Sequence, residues 1–291
     1  MISIECVWPA RTILGEAPFW CSQEKVVYWV DIDGKAILRF NPATGEQQVF
    51  PQQYEVGCVV KKTGGGFIAA ANKDLLYFDQ DLKNPEVFST PEPDDLNNRF
   101  NDGKCDRAGR FWVGSTDINE EEPSGALYRV SRGGDVKCML PDLTVANGLG
   151  WSPDDKTMYF TDSGHGTIYA FDFSIETGAI DNQRVFAQVD AANGVPDGLT
   201  VDAEGYVWSA HWNGWQITRY DPEGQIDRVI RMPVPLVTSI AFGGEHLDQM
   251  YVTTASYGLS EAELDEAPRS GGLFVISTGV RGLPEVPFAG A

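Results

Sequence analysis

The sequence predicts an all-β protein, a six-bladed β-propeller with four-stranded blades. Three observations carry that expectation. One phrase recurs six times along the 291 residues: an apolar opening, a turn, an aromatic-rich strand, a second turn and another strand. The openings begin near residues 15, 57, 102, 147, 197 and 239, about 42 to 50 residues apart, the length of a four-stranded blade. The strands are short, β-branched and aromatic with Gly, Asp, Asn and Pro between them, and no long stretch has the apolar period of a helix.

In chain order, the first unit reads as strands at 15–20, 26–31 and 36–40, and the second at 57–60, 66–70 and 75–78. The third has 101–105, 110–114 and 125–130; the fourth has 147–151, 157–162 and 167–171. The fifth has 197–201, 205–209 and 216–220; the sixth has 239–242, 249–253 and 271–276. A fourth strand follows after turn residues, as in Glu46-Gln47-Gln48-Val49-Phe50 behind Pro42-Ala43-Thr44-Gly45. Residues 260–264 are expected to form one helical turn. No linker-like shift in composition divides residues 1–291, so they read as a single domain. A propeller must close its ring. The N-terminal strand Ile2-Ser3-Ile4-Glu5-Cys6-Val7 is expected to supply the outer strand of the last blade, tying the two ends together and removing an exposed edge.

Composition excludes several functions. Lys plus Arg number 22 against 42 Asp plus Glu, a net charge of −20, so phosphate backbones and anionic membrane surfaces are repelled. No apolar run approaches the ~20 residues of a membrane helix. The first residues lack a basic region, a long apolar stretch and a cleavage site, so no secretory leader is expected and the cytoplasm is the expected compartment. Five cysteines, odd in number and widely spaced, read as reduced and mostly buried thiols rather than a disulfide framework or a zinc ribbon. Three histidines are too few for a multi-histidine metal cluster. Asp31-Ile32-Asp33-Gly34 lacks EF-hand spacing and reads as a hairpin turn. Lys62-Thr63-Gly64-Gly65-Gly66 lacks the order of a phosphate loop, and Ser163-Gly164-His165 is no nucleophile elbow.

The blade openings carry the chemistry. All innermost strands begin around one channel, so residues at equivalent openings converge there. Those residues are Glu16, Asn101, Asn147 and Asp197. Two carboxylates facing each other repel unless a cation neutralises them. An all-oxygen ligand set favours a hard divalent ion, Ca²⁺, Mg²⁺ or Mn²⁺, with water completing the shell. Asn-Gly and Asp-Gly are also favoured turn dipeptides, but their matching phase in different blades, together with Glu16, argues for a site.

The motifs Leu14-Gly15-Glu16-Ala17-Pro18-Phe19-Trp20, Asn98-Arg99-Phe100-Asn101-Asp102-Gly103-Lys104, Asn147-Gly148-Leu149-Gly150-Trp151-Ser152-Pro153-Asp154 and Pro196-Asp197-Gly198-Leu199 stand in this order. With them the sequence resembles the regucalcin/gluconolactonase family of six-bladed propellers over nearly its whole length, most closely the bacterial sugar-acid lactonases. The resemblance implies one divalent ion (Ca²⁺, Mg²⁺, Mn²⁺ or Zn²⁺) held by Glu16, Asn147 and Asp197. It implies substrate contacts from Arg99 and Asn101, and Asp197 as general base. Where some members carry a substrate-contacting glutamate after the third blade's Gly-Ser/Thr turn, this sequence has Asn119, followed by Glu120, Glu121 and Glu122. Either Asn119 takes that place or the loop shifts to present a glutamate.

The expected activity is metal-assisted opening of an aldonolactone, a small-molecule reaction of sugar catabolism. A phosphotriesterase-like hydrolase on the same metal is a rival, and so is a calcium-binding propeller without catalysis. Trp212 and Trp215 are candidates for stacking on a sugar ring, against the simpler reading that they pack in the core. His165 and His211 fall in inter-strand loops and are candidates for the cup lining.

Overall fold

A computed structural model gives the structure, described for residues 3–95 and 97–290. It is a six-bladed β-propeller of six antiparallel four-stranded sheets. A first strand, β1 (Ile4–Trp8), precedes the blades. Blade 1 is β2 (Gly15–Cys21), β3 (Val26–Asp31), β4 (Ala36–Asn41) and β5 (Glu46–Pro51). Blade 2 is β6 (Val56–Lys61), β7 (Phe67–Ala71), β8 (Asp74–Phe78) and β9 (Glu86–Ser89). Blade 3 is β10 (Asn98–Cys105), β11 (Phe111–Asp117), β12 (Gly125–Val130) and β13 (Val136–Leu143). Blade 4 is β14 (Ala146–Trp151), β15 (Thr157–Asp162), β16 (Thr167–Ser174) and β17 (Ala179–Gln188). Blade 5 is β18 (Val195–Val201), β19 (Val207–Trp212), β20 (Gln216–Tyr220) and β21 (Ile226–Arg231). Blade 6 is β22 (Val237–Gly243), β23 (Gln249–Thr254), β24 (Leu273–Ser277) and, as its outer strand, β1.

The expected closure is therefore present. Ile4 pairs with Ile276 and Cys6 with Phe274, which removes the edge that β24 would otherwise expose. Ile2, also assigned to this strand from sequence, lies outside the described residues. Trp8, edge-on to Trp29 at 4.9 Å between ring centroids, carries the closure into blade 1. The expected helical turn is α1 (Glu261–Glu266). Ser260 caps it by accepting from the Glu263 backbone N–H, and the Glu263 carboxylate accepts from the Ser260 N–H in return.

Burial falls from the axis outward. The second strands are almost wholly buried, and some are continuous apolar runs, such as Val26-Val27-Tyr28-Trp29-Val30, because each is covered by a blade on both faces. The outer strands are partly exposed and carry the solvent-facing Val49, Val87, Val185, Ile226 and Val229. Cys21, Cys58 and Cys105 are buried free thiols, as expected, whereas Cys138 sits exposed on the outer strand β13. Asp106 and Asp202 each anchor the turn behind an innermost strand. Their carboxylates accept from Trp112 Nε1 at 2.9 Å and Trp208 Nε1 at 2.8 Å, which fixes where the second strand begins.

The innermost strands β2, β6, β10, β14, β18 and β22 enclose the channel, and their packing leaves no room for side chains between some of them. A Cβ on Gly148 of β14 would stand 2.7 Å from the Asp197 carbonyl oxygen of β18. Gly148→Ala is therefore expected to push blades 4 and 5 apart and cost about 1–3 kcal/mol in chemical denaturation, the range for overpacking. A variant as stable as the wild type would refute this contact. The far end of the channel is crossed by the C-terminal segment. Gly282 bridges to Asp202 of blade 5, Phe288 bridges to Lys62 of blade 2, and Ala289 donates to the Gly109 carbonyl of blade 3.

Candidate functional site

All six innermost strands are interrupted at the same level by a β-bulge. The register breaks between Glu16 and Phe19, Val56 and Cys58, Phe100 and Gly103, Ala146 and Leu149, Pro196 and Leu199, and Val237 and Ser239. A bulge leaves a residue out of the ladder and re-aims its side chain. Asn101, Asn147 and Asp197 are each the first residue of such a bulge. Glu16 stands one residue earlier, and its bulge is Ala17-Pro18. The shared blade phase read from sequence thus holds for three of the four residues and is off by one for Glu16. All four are 5–6% exposed.

Local geometry fixes each group. Ala17 adopts a left-handed φ of 45°, and its N–H donates to Glu16 Oε2 at 2.9 Å. Asn147 Nδ2 donates to Ser163 Oγ at 3.2 Å, and Ser163 Oγ donates to the Pro196 carbonyl at 2.6 Å. That relay joins blade 4 to blade 5 beside Asp197 and commits the Asn147 amide nitrogen, so its oxygen is left over. Asn101 Nδ2 donates to the Ala146 carbonyl at 3.0 Å, and Asn101 Oδ1 accepts from Arg99 at 2.7 Å. Arg99 also faces Glu120 Oε1 at 3.7 Å.

That last contact bears on the open question at Asn119. Asp117 shapes the loop: its carbonyl accepts from the Glu120 N–H at 2.9 Å and its carboxylate from the Glu121 N–H at 3.1 Å. Glu120, at φ 60°, is thereby turned toward Arg99, while Asn119 is exposed on the same loop. Sequence reasoning named the Glu run but did not select Glu120, and it missed Ser163 as the partner of Asn147. It also missed Asp102, the second residue of the blade-3 bulge. Asp102 is 6% exposed and bonded to the Gly103 N–H at 2.8 Å. The histidines play smaller parts. His165 pairs with Asp162 at 2.9 Å. His211 is 1% exposed, with Nδ1 at 2.9 Å from the Asn193 carbonyl, and burial holds it below its usual pKa. Both tryptophans are half-buried: Trp215 packs against the core between blades 5 and 6, as the simpler reading had it, and Trp212 stands beside Tyr257.

Electrostatics at this level are unfavourable to the residues alone. Burial, then the Asp102 charge, pushes Glu16 up to about 8, against the Ala17 N–H and Arg99. Burial, then the charges of Glu16, Asp102 and Glu120, holds the Asp197 carboxyl well above the ordinary carboxylate range. Asp197 Oδ1 and Asn147 Oδ1 are buried with no hydrogen-bond partner. Leaving a buried acceptor unsatisfied costs about 1–3 kcal/mol, so two of them together mark a place built for something that supplies positive charge or donors. Among the described residues no three His, Cys, Asp or Glu side chains group closely enough to enclose an ion. An ion held here would therefore take an amide oxygen, that of Asn147, beside the carboxylates of Glu16 and Asp197. This all-oxygen set fits a hard divalent cation.

A separate pocket, partly open to solvent, lies toward the far end, between the innermost strands and the C-terminal segment. Asp102, Lys104, Trp20 and Glu285 line it; Glu16, Arg99, Asn147 and Asp197 do not. The oxygen cluster is at the other end, where the innermost strands begin.

Residues 14–256 match the family described as SMP-30/Gluconolactonase/LRE-like region. The chain belongs to this family. Regucalcin of Oryctolagus cuniculus is 36% identical over 99% of both chains. Among solved structures, a luciferin-regenerating enzyme superposes with a TM-score of 0.93 at 29% identity, covering 99% of each chain. A calcium-binding protein, regucalcin, from Agrobacterium tumefaciens does so with a TM-score of 0.94 at 25% identity, covering 99% of this chain and 97% of the other. Membership of the SMP-30/gluconolactonase family points to lactone hydrolysis or to calcium binding in a propeller. Among the described residues no helix is long and apolar enough to cross a membrane.

Proposed function

We propose that the protein is a metal-dependent lactonase that opens a sugar-acid lactone to the aldonic acid, in cytoplasmic sugar catabolism. The observation that carries this reading is the pair of unpartnered buried oxygens, Asn147 Oδ1 and Asp197 Oδ1, beside the Glu16 carboxylate. Glu16, Asn147 and Asp197 would hold one divalent ion, Ca²⁺, Mg²⁺, Mn²⁺ or Zn²⁺; the calcium-binding relative from Agrobacterium tumefaciens supports the first of these. When bound, such an ion supplies Lewis-acid polarisation of the lactone carbonyl.

The chain's own residues do the rest. Asp197 accepts a proton from the water that adds to the acyl carbon. The acyl carbon–ring oxygen bond then breaks, and Asp197 returns that proton to the departing ring oxygen, which becomes a hydroxyl of the opened acid. Arg99, its fork steadied by Asn101 and Glu120, offers several donors in one plane to substrate hydroxyl or carboxylate oxygens. Asn101 and, on the loop above, Asn119 or Glu120 would complete the polar contacts. Ser163 is a positioning residue in this scheme, since it takes the Asn147 nitrogen and so turns the oxygen inward. Ser163→Ala is expected to weaken ion affinity about 10–100-fold, the usual cost of losing a partner behind a ligand. Isothermal titration with Ca²⁺ reads this, and unchanged affinity would remove Ser163 from the scheme.

The test of the function itself is an aldonolactone panel, pentono- and hexonolactones, followed by acid release with each ion restored and with chelator. Hydrolysis above buffer that is lost with chelator is expected. Ion binding without turnover on any lactone would make the protein a binding propeller instead.

A further inference from the structure

The exposed large apolar residues divide sharply by position. Five lie on outer strands, and the other four, Ile13, Ile118, Val195 and Tyr257, lie at the end of the propeller where the innermost strands begin. Among the described residues the turns of the opposite end expose none. At this end three of the four follow one another around the ring. Tyr257, 52% exposed, stands 6.3 Å ring to ring from Trp212. Trp212 pairs across the sheet with Val195, two residues before Asp197. The Ile13 carbonyl accepts from the N–H of Ser256, next to Tyr257, at 3.0 Å. These residues thus span blades 5, 6 and 1. Blade 3, across the ring from blade 6, carries the charged side: Arg99 with Glu120, and Ile118 alone beside them.

Charged groups on blade 3 and apolar groups on blades 5, 6 and 1 offer a bound lactone two kinds of contact, one for its hydroxyls and one for an apolar group carried beyond the ring. We infer that the substrate is an amphiphilic lactone: a hydroxylated ring or chain that meets Arg99, carrying an apolar alkyl or aryl substituent that rests against Tyr257, Trp212 and Ile13. This rests on the lactone reading of the cup. Burying even a few methylenes or one aryl face there gives a tenfold or greater preference over the bare lactone, at ~0.8 kcal/mol per buried CH₂. The same contacts leave the polar end free to select its stereochemistry at Arg99.

The experiment uses two hydroxylated lactams, ring amides that resist opening, identical except for an n-butyl ether on one. Their affinities for the calcium-supplied protein are measured by calorimetry. The butyl compound is expected to bind about tenfold tighter to the wild type. Tyr257→Ser should cut that gain below about threefold while leaving the bare lactam unchanged, and Tyr257→Phe should keep it. Tyr257 is on an exposed loop, so both variants should melt with the wild type. Equal affinities in the wild type, or a gain that survives Tyr257→Ser, would overturn the inference. A gain in binding while the matching butyl lactone is not hydrolysed would keep the apolar contacts and sink the hydrolase. Failure of both lactams to bind would overturn the two readings together.

Discussion

Asp197→Asn is expected to lower kcat for lactone opening on the order of 10³-fold, the range for loss of a general base. The amide has the shape of the carboxylate, so the bulge at Asp197-Gly198 and the blade 4–5 contact should persist. It cannot accept the proton of the attacking water, however, and it offers an ion one neutral oxygen in place of a charged one. These two losses are separable. At ion concentrations that saturate the variant, a role confined to ion binding restores the rate, whereas a base does not recover. Metal-free Asp197→Asn should also melt at or above the wild type, because the buried carboxylate is already held far from its ordinary pKa by burial and by Glu16, Asp102 and Glu120. A variant with near-native kcat under saturating ion would end the assignment of Asp197 as base.

The propeller is legible in the sequence because its blades repeat the same physical problem. Each second strand must be buried on both faces, as Val26–Asp31 is and Thr157–Asp162 is beyond its first residue, and each turn must reverse the chain with Gly, Asp or Asn. The closing strand is legible because a ring leaves only one vacancy for it. The bulges are less so. Asn147-Gly148 and Asp197-Gly198 read as turns from composition, and only pairing shows that they sit inside continuous strands. The off-by-one placement of Glu16 follows from Ala17-Pro18: proline has no N–H for the ladder, so this bulge is built from a different pair of residues. Ser163 and Glu120 were not legible at all as partners. Their relation to Asn147 and Arg99 crosses from one strand's loop to another's, and nothing in local spacing records it. One local mark went unread. Asp106 to Trp112 and Asp202 to Trp208 share the spacing Asp-x-x-Gly-x-x-Trp, which turns out to pin the turn and the second strand in two blades.

Glu16→Gln should make the metal-free protein more stable at pH 8 while removing most of its response to calcium. In the folded chain Glu16 holds its proton up to about pH 8, and in the unfolded chain only to about its ordinary 4.5. Between those values the native state binds more protons than the unfolded state, so stability falls as pH rises through this window and levels off above pH 8. The carboxylate therefore costs the empty fold a few kcal/mol at the upper end of the window, on the order of a few degrees in melting temperature for a chain of this size. Glutamine carries no charge to bury, so the difference between variant and wild type should be small near pH 4.5 and largest near pH 8. A divalent ion reverses the balance for the wild type alone: it favours the ionised carboxylates, displaces their protons and raises the melting temperature by mass action. The calcium-induced shift of the wild type should accordingly grow from pH 5 to pH 8, while that of Glu16→Gln stays slight throughout. Melting curves of both proteins at four pH values, with chelator and with millimolar Ca²⁺, read all of this at once. If the two proteins respond to calcium alike at pH 8, Glu16 is not a ligand and its burial serves the fold. If the chelated wild type is the more stable of the two at pH 8, the Glu16 charge is compensated by the chain itself, and the cluster does not need an ion.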